Sequence, residues 1–146
     1  ASKQGEVAAE VIAGKPAAWD VTAIPSAIFT QPEIATVGLT ETEAKEKGLD
    51  IKVGKFPFAA NGRALSMGEG DGFVKVLLDP KEHLLLGVGI VGGGASELIS
   101  EGALALEMGA VAEDVALTVH PHPTLPEAVN EAFKAALGEA VHALNR

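Results

Sequence analysis

The sequence has no cysteine. That excludes a disulfide framework, a thiolate nucleophile and every Cys-ligated metal site; it also fits a reducing compartment, so a cytoplasmic location is the expectation. Long hydrophobic runs are missing too. None approaches the roughly 18 residues that span a bilayer, which argues against a membrane protein. The start, Ala1-Ser2-Lys3-Gln4-Gly5-Glu6, carries no secretory h-region. Amides are few: Asn61, Asn130, Asn145, Gln4 and Gln31 are all there are, and a shortage of Asn, Gln and Cys is a trait of thermophile proteins. Positive charge is also scarce. Eleven Lys and Arg stand against 20 Asp and Glu, a net charge of −9. Such a chain repels phosphate backbones, so nucleic acid is not expected and a basic protein is the easier partner. Acidity alone also serves solubility.

What is present describes a globular domain. Hydrophobic residues make up 47% and charged residues 21% of 146 positions. That composition is incompatible with disorder, and the length is that of one domain with a core of its own.

Apolar spacing predicts a helix over 6–12, with Val7, Ala8, Val11 and Ile12 on one stripe and Gly14 at its end. Pro16 and Pro25 bracket an extended stretch around Trp19. Strands are predicted over 28–30 and 35–39, around a Gln31-Pro32 turn. Thr40 and Glu43 form a capping box, so a helix starts there, supported by Glu41–Lys45 and Glu43–Lys47 pairs and closed by Gly48. Alternation predicts a strand over 51–58 with Ile51, Val53 and Lys55 on one face, and Asn61-Gly62 reads as a turn. Two apolar runs, 72–78 and 84–91, flank a five-residue loop and predict a hairpin whose sheet is covered on both faces. After three glycines at 92–94 the period becomes helical over 95–108, with Leu98, Gly102, Ala105 and Leu106 sharing a face. A short helix over 113–117 and a final one from Leu125 to Leu137 follow. Strands followed by helices make the expected fold class α+β, an antiparallel sheet covered by helices.

Chemistry concentrates in His120-Pro121-His122-Pro123-Thr124-Leu125-Pro126-Glu127. Proline pushes the preceding residue towards extended backbone, so both histidines sit on a stiff chain, as a held side chain requires. If the chain bends at Thr124, the Glu127 carboxylate reaches back to His122, orients the ring and favours its charged form. Two other roles stand beside this one. Thr124-x-x-Glu127 is also a capping box. His120 and His122, at i and i+2 of an extended chain, share a face and can together ligate a metal, although no further ligand is evident and none is expected. His83 and His142 are expected in solvent. Gly87-Val88-Gly89-Ile90-Val91-Gly92 matches G-x-G-x-x-G, with Glu113 about 20 residues on. Its glycines fall inside a predicted strand and no βαβ unit surrounds them, so they are assigned to close backbone packing. Asn61-Gly62-Arg63-Ala64 is expected to expose its arginine.

The eight-residue segment is similar to the H-x-H-P-T-L-x-E signature of dihydrolipoyl dehydrogenases. Phe29-Thr30-Gln31-Pro32-Glu33-Ile34-Ala35-Thr36-Val37-Gly38-Leu39-Thr40, Phe56-Pro57-Phe58-Ala59-Ala60-Asn61-Gly62-Arg63-Ala64 and Ala95-Ser96-Glu97-Leu98-Ile99 resemble further stretches of that family, in the same order. The resemblance covers nearly the whole chain from Ile24. It implies the dimerisation (interface) domain of an FAD/NAD-linked reductase over 24–146, with 1–23 as a helix and linker left from a flavin domain. It implies a homodimer that oxidises dihydrolipoyl groups of 2-oxoacid dehydrogenase or glycine cleavage complexes, using FAD and NAD. It implies His122 as the catalytic acid/base working across the dimer, its backbone carbonyl near the partner subunit's flavin, and Glu127 as its orienting partner. The basic peripheral-subunit-binding domain of the acyltransferase (E2) is the implied protein partner. With no cysteine pair and no credible nucleotide fingerprint, this chain alone is expected to be inactive and to bind neither cofactor. Pro126 stands where the family pattern has a small residue, a position in a first helical turn that tolerates proline. A glutathione reductase-like enzyme, or a non-enzymatic dimerisation and docking module, are the alternatives; a mercuric reductase would end in a cysteine pair.

Overall fold

The computed structural model describes residues 1–143 and 145. Its centre is one antiparallel sheet of five strands, in the order β1 (Ser26–Ile28), β2 (Ile34–Gly38), β5 (Leu85–Val91), β4 (Phe73–Leu78) and β3 (Lys52–Pro57). The hairpin expected between the two apolar runs is β4–β5, at the middle of the sheet. Register puts Val37 and Val76 opposite Val88, Ala35 and Val74 opposite Ile90, and Phe56 opposite Val74. With a side-chain period of two, all seven point to one face, and all are buried.

Two helices close that face. α4 (Ala95–Glu107) lies over β2 and β5, and α6 (Glu127–Leu137) over β3 and β4. Gly54 lets α6 come close: a Cβ there would stand 2.1 Å from the Ala132 carbonyl oxygen. Val53 and Lys55 share one face of β3, as their alternation predicted, and it is the outer one; Gly54 and Phe56 point inward. α5 (Ala112–Leu117) packs on α6, and Asn130, buried on α6, donates to the Val115 carbonyl at 2.7 Å.

The second face of the sheet is covered only in part. Leu77 and Gly87 are buried at one end of it, where Gly87 backs onto Leu39, but the cover that the continuous apolar runs suggested does not extend further. Ile34, Thr36, Phe73, Lys75 and Val91 are part-exposed there, flanked by α2 (Glu41–Glu46). The runs look unbroken because β5 places glycines at 87 and 89 in its outward positions, so polar residues are not needed to break the alternation. Lys55 and Lys75 stand directly opposite each other, and each has a separate partner: Lys55 Nζ lies 3.8 Å above the Phe73 ring, and Lys75 bonds Glu41.

Local chemistry explains other boundaries. Thr40 and Glu43 do form the capping box of α2; Glu41 reaches Lys75 instead of Lys45, and Glu43, turned to Thr40, feels the expected Lys47 charge without a direct ion contact. Asn61 is not in a simple turn. It caps α3 (Gly62–Met67), accepting from the Ala64 N–H at 2.9 Å, and Gly68 ends that helix at φ 73°. α1 (Ser2–Ile12) is longer than expected and contributes no buried residue. Among the described residues no helix is long and apolar enough to cross a membrane.

Candidate functional site

The segment between α5 and α6 runs over the edge of the core and is held at several points. Thr124 Oγ1 donates to the Pro121 carbonyl at 2.6 Å, and Asn61 Nδ2 donates to the Thr124 carbonyl at 3.0 Å. α6 starts at Glu127, two residues later than its apolar spacing suggested, because Pro126 takes the capping position.

That start brings Glu127 back onto the segment. Its Oε1 stands 2.8 Å from His122 Nδ1, and its Oε2 accepts the Thr124 N–H at 2.7 Å. One carboxylate thus serves both the ring and the backbone. Thr124 does not return the bond as a capping box requires; its hydroxyl is turned to Pro121. Burial pushes the Glu127 carboxyl up, but the Thr124 N–H and the His122 ring outweigh it, with a smaller pull from His142, and leave it below the ordinary glutamate range. It is therefore ionised at neutral pH. A carboxylate can only accept, so in the neutral His122 ring the proton sits on Nδ1 and the lone pair on Nε2. The His122 side chain is 77% exposed, so that lone pair is open to a reactant.

The two histidines do not share a face. His120 is turned inward, its side chain 8% exposed, with Nε2 2.7 Å from Glu101 Oε1 and Nδ1 3.0 Å from the Thr118 carbonyl. The joint metal-ligand role fails on this geometry: each ring goes to a different acid. Among the described residues no group of three or more His, Asp or Glu side chains converges on one point.

A cleft of about 590 Å³ opens beside the pair, lined by His120, His122, Glu127, Glu131, Lys134 and His142 among others. His142 was expected in plain solvent. Its ring is largely exposed but borders this cleft, because buried Glu131 accepts the Val141 and His142 N–H groups at 3.0 Å each. His83 is only part-exposed and lies 2.6 Å from Glu113. Arg63 lies on α3 and is exposed. The glycines of the G-x-G-x-x-G stretch lie in and just past β5, and Gly87 backs onto the Leu39 carbonyl, where a Cβ would stand 2.0 Å away. Sequence reasoning missed Asn61, Glu101 and Glu131. Asn61 alone left a signal, since Asn followed by Ala64 and Leu65 is also a helix start. Glu101 lies 19 residues from its partner, and nothing local announces it.

Residues 24–133 match the family described as pyridine nucleotide-disulphide oxidoreductase, dimerisation domain. The chain belongs to that family. Among its relatives, the dihydrolipoyl dehydrogenase of Halobacterium salinarum is 62% identical over all 146 residues, and that of Bacillus subtilis is 53% identical over 97% of the chain. This dimerisation domain spans 31% and 30% of those two proteins. Of solved structures, LpdA from Mycobacterium tuberculosis matches with a TM-score of 0.84 at 27% identity, over 92% of this chain and 29% of that one. The flavoprotein disulfide reductase RclA from Escherichia coli matches with a TM-score of 0.83 at 27% identity, over 88% and 30%. The relatives are oxidoreductases, and the α+β class with its antiparallel sheet is the one these neighbours share.

Proposed function

We propose that the chain is the dimerisation domain of a cytoplasmic dihydrolipoyl dehydrogenase, in which His122 is the acid/base and Glu127 orients it. The observation that carries this is the 2.8 Å contact between His122 Nδ1 and Glu127, made by a ring whose other nitrogen is open. Residues 1–23 then belong with a preceding flavin domain; an α1 that buries nothing here is consistent with packing elsewhere. The active protein is a homodimer. His122 of one subunit serves the sulfur centre of the other.

A thiol with an ordinary pKa of about 8.5 is only a few per cent thiolate at neutral pH, and the thiolate is the attacking species. His122 Nε2 accepts the proton of a dihydrolipoyl thiol. Glu127, already ionised, stabilises the imidazolium that results, and that imidazolium holds the negative sulfur beside it. The same ring returns the proton when a thiol must be regenerated. FAD and NAD, bound by the rest of the enzyme, supply two-electron acceptance. This chain's fit to the flavin rests on the His122 carbonyl: the residue is exposed, and among the described residues none donates to that oxygen, so it is free to meet a donor from the partner subunit. The net charge of −9 suits the basic peripheral-subunit-binding domain of an E2 acyltransferase as docking partner. Without a sulfur centre of its own, the chain by itself is inactive.

The test is a substrate comparison on the intact protein that carries this domain. NAD-dependent oxidation of dihydrolipoamide, with little or no reduction of glutathione disulfide, is the expected result. The reverse preference would assign the chain to a glutathione reductase-like enzyme instead.

A further inference from the structure

The reading of His122 as the acid/base leaves one His–Glu pair, His120 with Glu101, without a task. His120 is almost fully enclosed, and both of its ring nitrogens face oxygen acceptors: Glu101 Oε1 at 2.7 Å and the Thr118 carbonyl at 3.0 Å. A neutral imidazole has one N–H and can fill only one of these contacts; the doubly protonated ring fills both. Glu101 belongs to α4, a different element from those that flank the segment.

The neighbourhood shows what this contact holds. Upstream of His122, Leu117 and Val119 are 81% and 92% exposed and give the chain no packing. The Thr118 carbonyl also meets Asn130 Nδ2, but only at 3.3 Å. Downstream, the segment is held by Asn61 and Glu127 at Thr124. Pro121 lies between the two histidines and transmits direction, since its φ is fixed. The exposed His122 ring has a single carboxylate contact of its own. Its place is therefore decided by where the backbone on either side is fastened.

We infer that His120 is a positioning residue for His122: the Glu101–His120–Thr118 contacts fasten the upstream side of the proline-framed segment to α4, as Asn61 fastens the downstream side. His120 does not touch the reactant in this role. It acts only through the place and tautomer of the His122 ring.

Two variants test it, His120→Gln and Glu101→Ala, the second leaving the ring intact in case the first disturbs folding. The first measurement is long-range nitrogen–proton NMR of the histidine rings in this chain at neutral pH. The expected result is a single His122 tautomer with its proton on Nδ1 in the unaltered chain, and a mixture of tautomers in both variants. An unchanged His122 spectrum in both variants would overturn the inference. The second measurement is turnover of the intact enzyme, alone and in a His122→Gln background. Each variant is expected to lower kcat on the order of tenfold with KM little changed, as misplacement of a reacting group does. Neither should lower it further once His122 is gone. Equal losses with and without His122 would show that His120 acts elsewhere. A tautomer change in an enzyme whose His122→Gln variant turns over normally would sink the acid/base reading and leave the positioning role standing.

Discussion

Asn61 ties Thr124 to the core. Its Nδ2 donates to the Thr124 carbonyl at 3.0 Å while its Oδ1 accepts the Ala64 N–H at 2.9 Å, and the residue is 4% exposed. One amide thus caps α3 and fastens the segment that carries the histidines.

Asn61→Ala removes both contacts and leaves buried partners unpaired. The expected loss is about 1–3 kcal/mol of stability, read from chemical denaturation. The dithiol reaction of the intact enzyme should slow as well, since the segment loses its downstream fastening. Asn61→Asp keeps the cap acceptor but not the donor, so it should recover part of the stability and little of the rate.

Glu127→Gln keeps a side chain that can accept from His122 but removes the charge assigned, in the proposed function, to stabilising the imidazolium. The expected fall in dihydrolipoamide oxidation is about 10- to 100-fold, smaller than for loss of the imidazole itself. A rate equal to that of the unaltered enzyme would deny Glu127 its orienting role.

Acid should unfold the domain through a small set of carboxylates. Glu33 is held below its ordinary range by the Ser96 N–H, Glu43 by the Thr40 N–H, Asp79 by the N–H groups of Glu82 and Lys81, and Glu113 by the His83 ring. Each is depressed in the folded state. Its contribution is therefore fully present above the unfolded pKa of about 4 and is lost as pH falls through the lower folded value. The urea midpoint should be level from neutral pH to about pH 5 and drop below it. Glu33→Gln should blunt that drop. A midpoint that held level to far lower pH would contradict the assignment.

Gly54→Ala tests the seat of α6. The added methyl meets the Ala132 carbonyl and the Ala136 N–H, at 2.1 and 2.6 Å, both main-chain groups that cannot step aside. A destabilisation of about 1–3 kcal/mol or more is expected, with α6 and its Glu127 displaced. Val53→Ala on the outer face of the same strand should cost far less, since Val53 is 41% exposed.

The elements with strong period and clear caps were legible in the sequence: the β4–β5 hairpin, α4, and α2 with its Thr40 cap. The closeness of His122 and Glu127 was foreseeable because only five residues separate them. What stayed hidden depends on distance along the chain or on which face is covered. The Glu101–His120 and Asn61–Thr124 contacts join residues 19 and 63 positions apart. The open part of the second face of the sheet escaped notice because outward glycines in β5 leave the run apolar whether or not anything lies above it. Divergence of His120 and His122 follows from Glu101 and Glu127 drawing the two rings apart, which spacing at i and i+2 cannot show.

The central claim is that an open His122 nitrogen, oriented by Glu127, handles the thiol proton. The most direct measurement separates the two half-reactions of the intact enzyme in a rapid-mixing experiment on His122→Gln. Reduction by dihydrolipoamide should slow by about 10²–10⁴-fold, while exchange of electrons with the nicotinamide stays at the rate of the unaltered enzyme. Reduction by dihydrolipoamide at the unaltered rate would contradict the account.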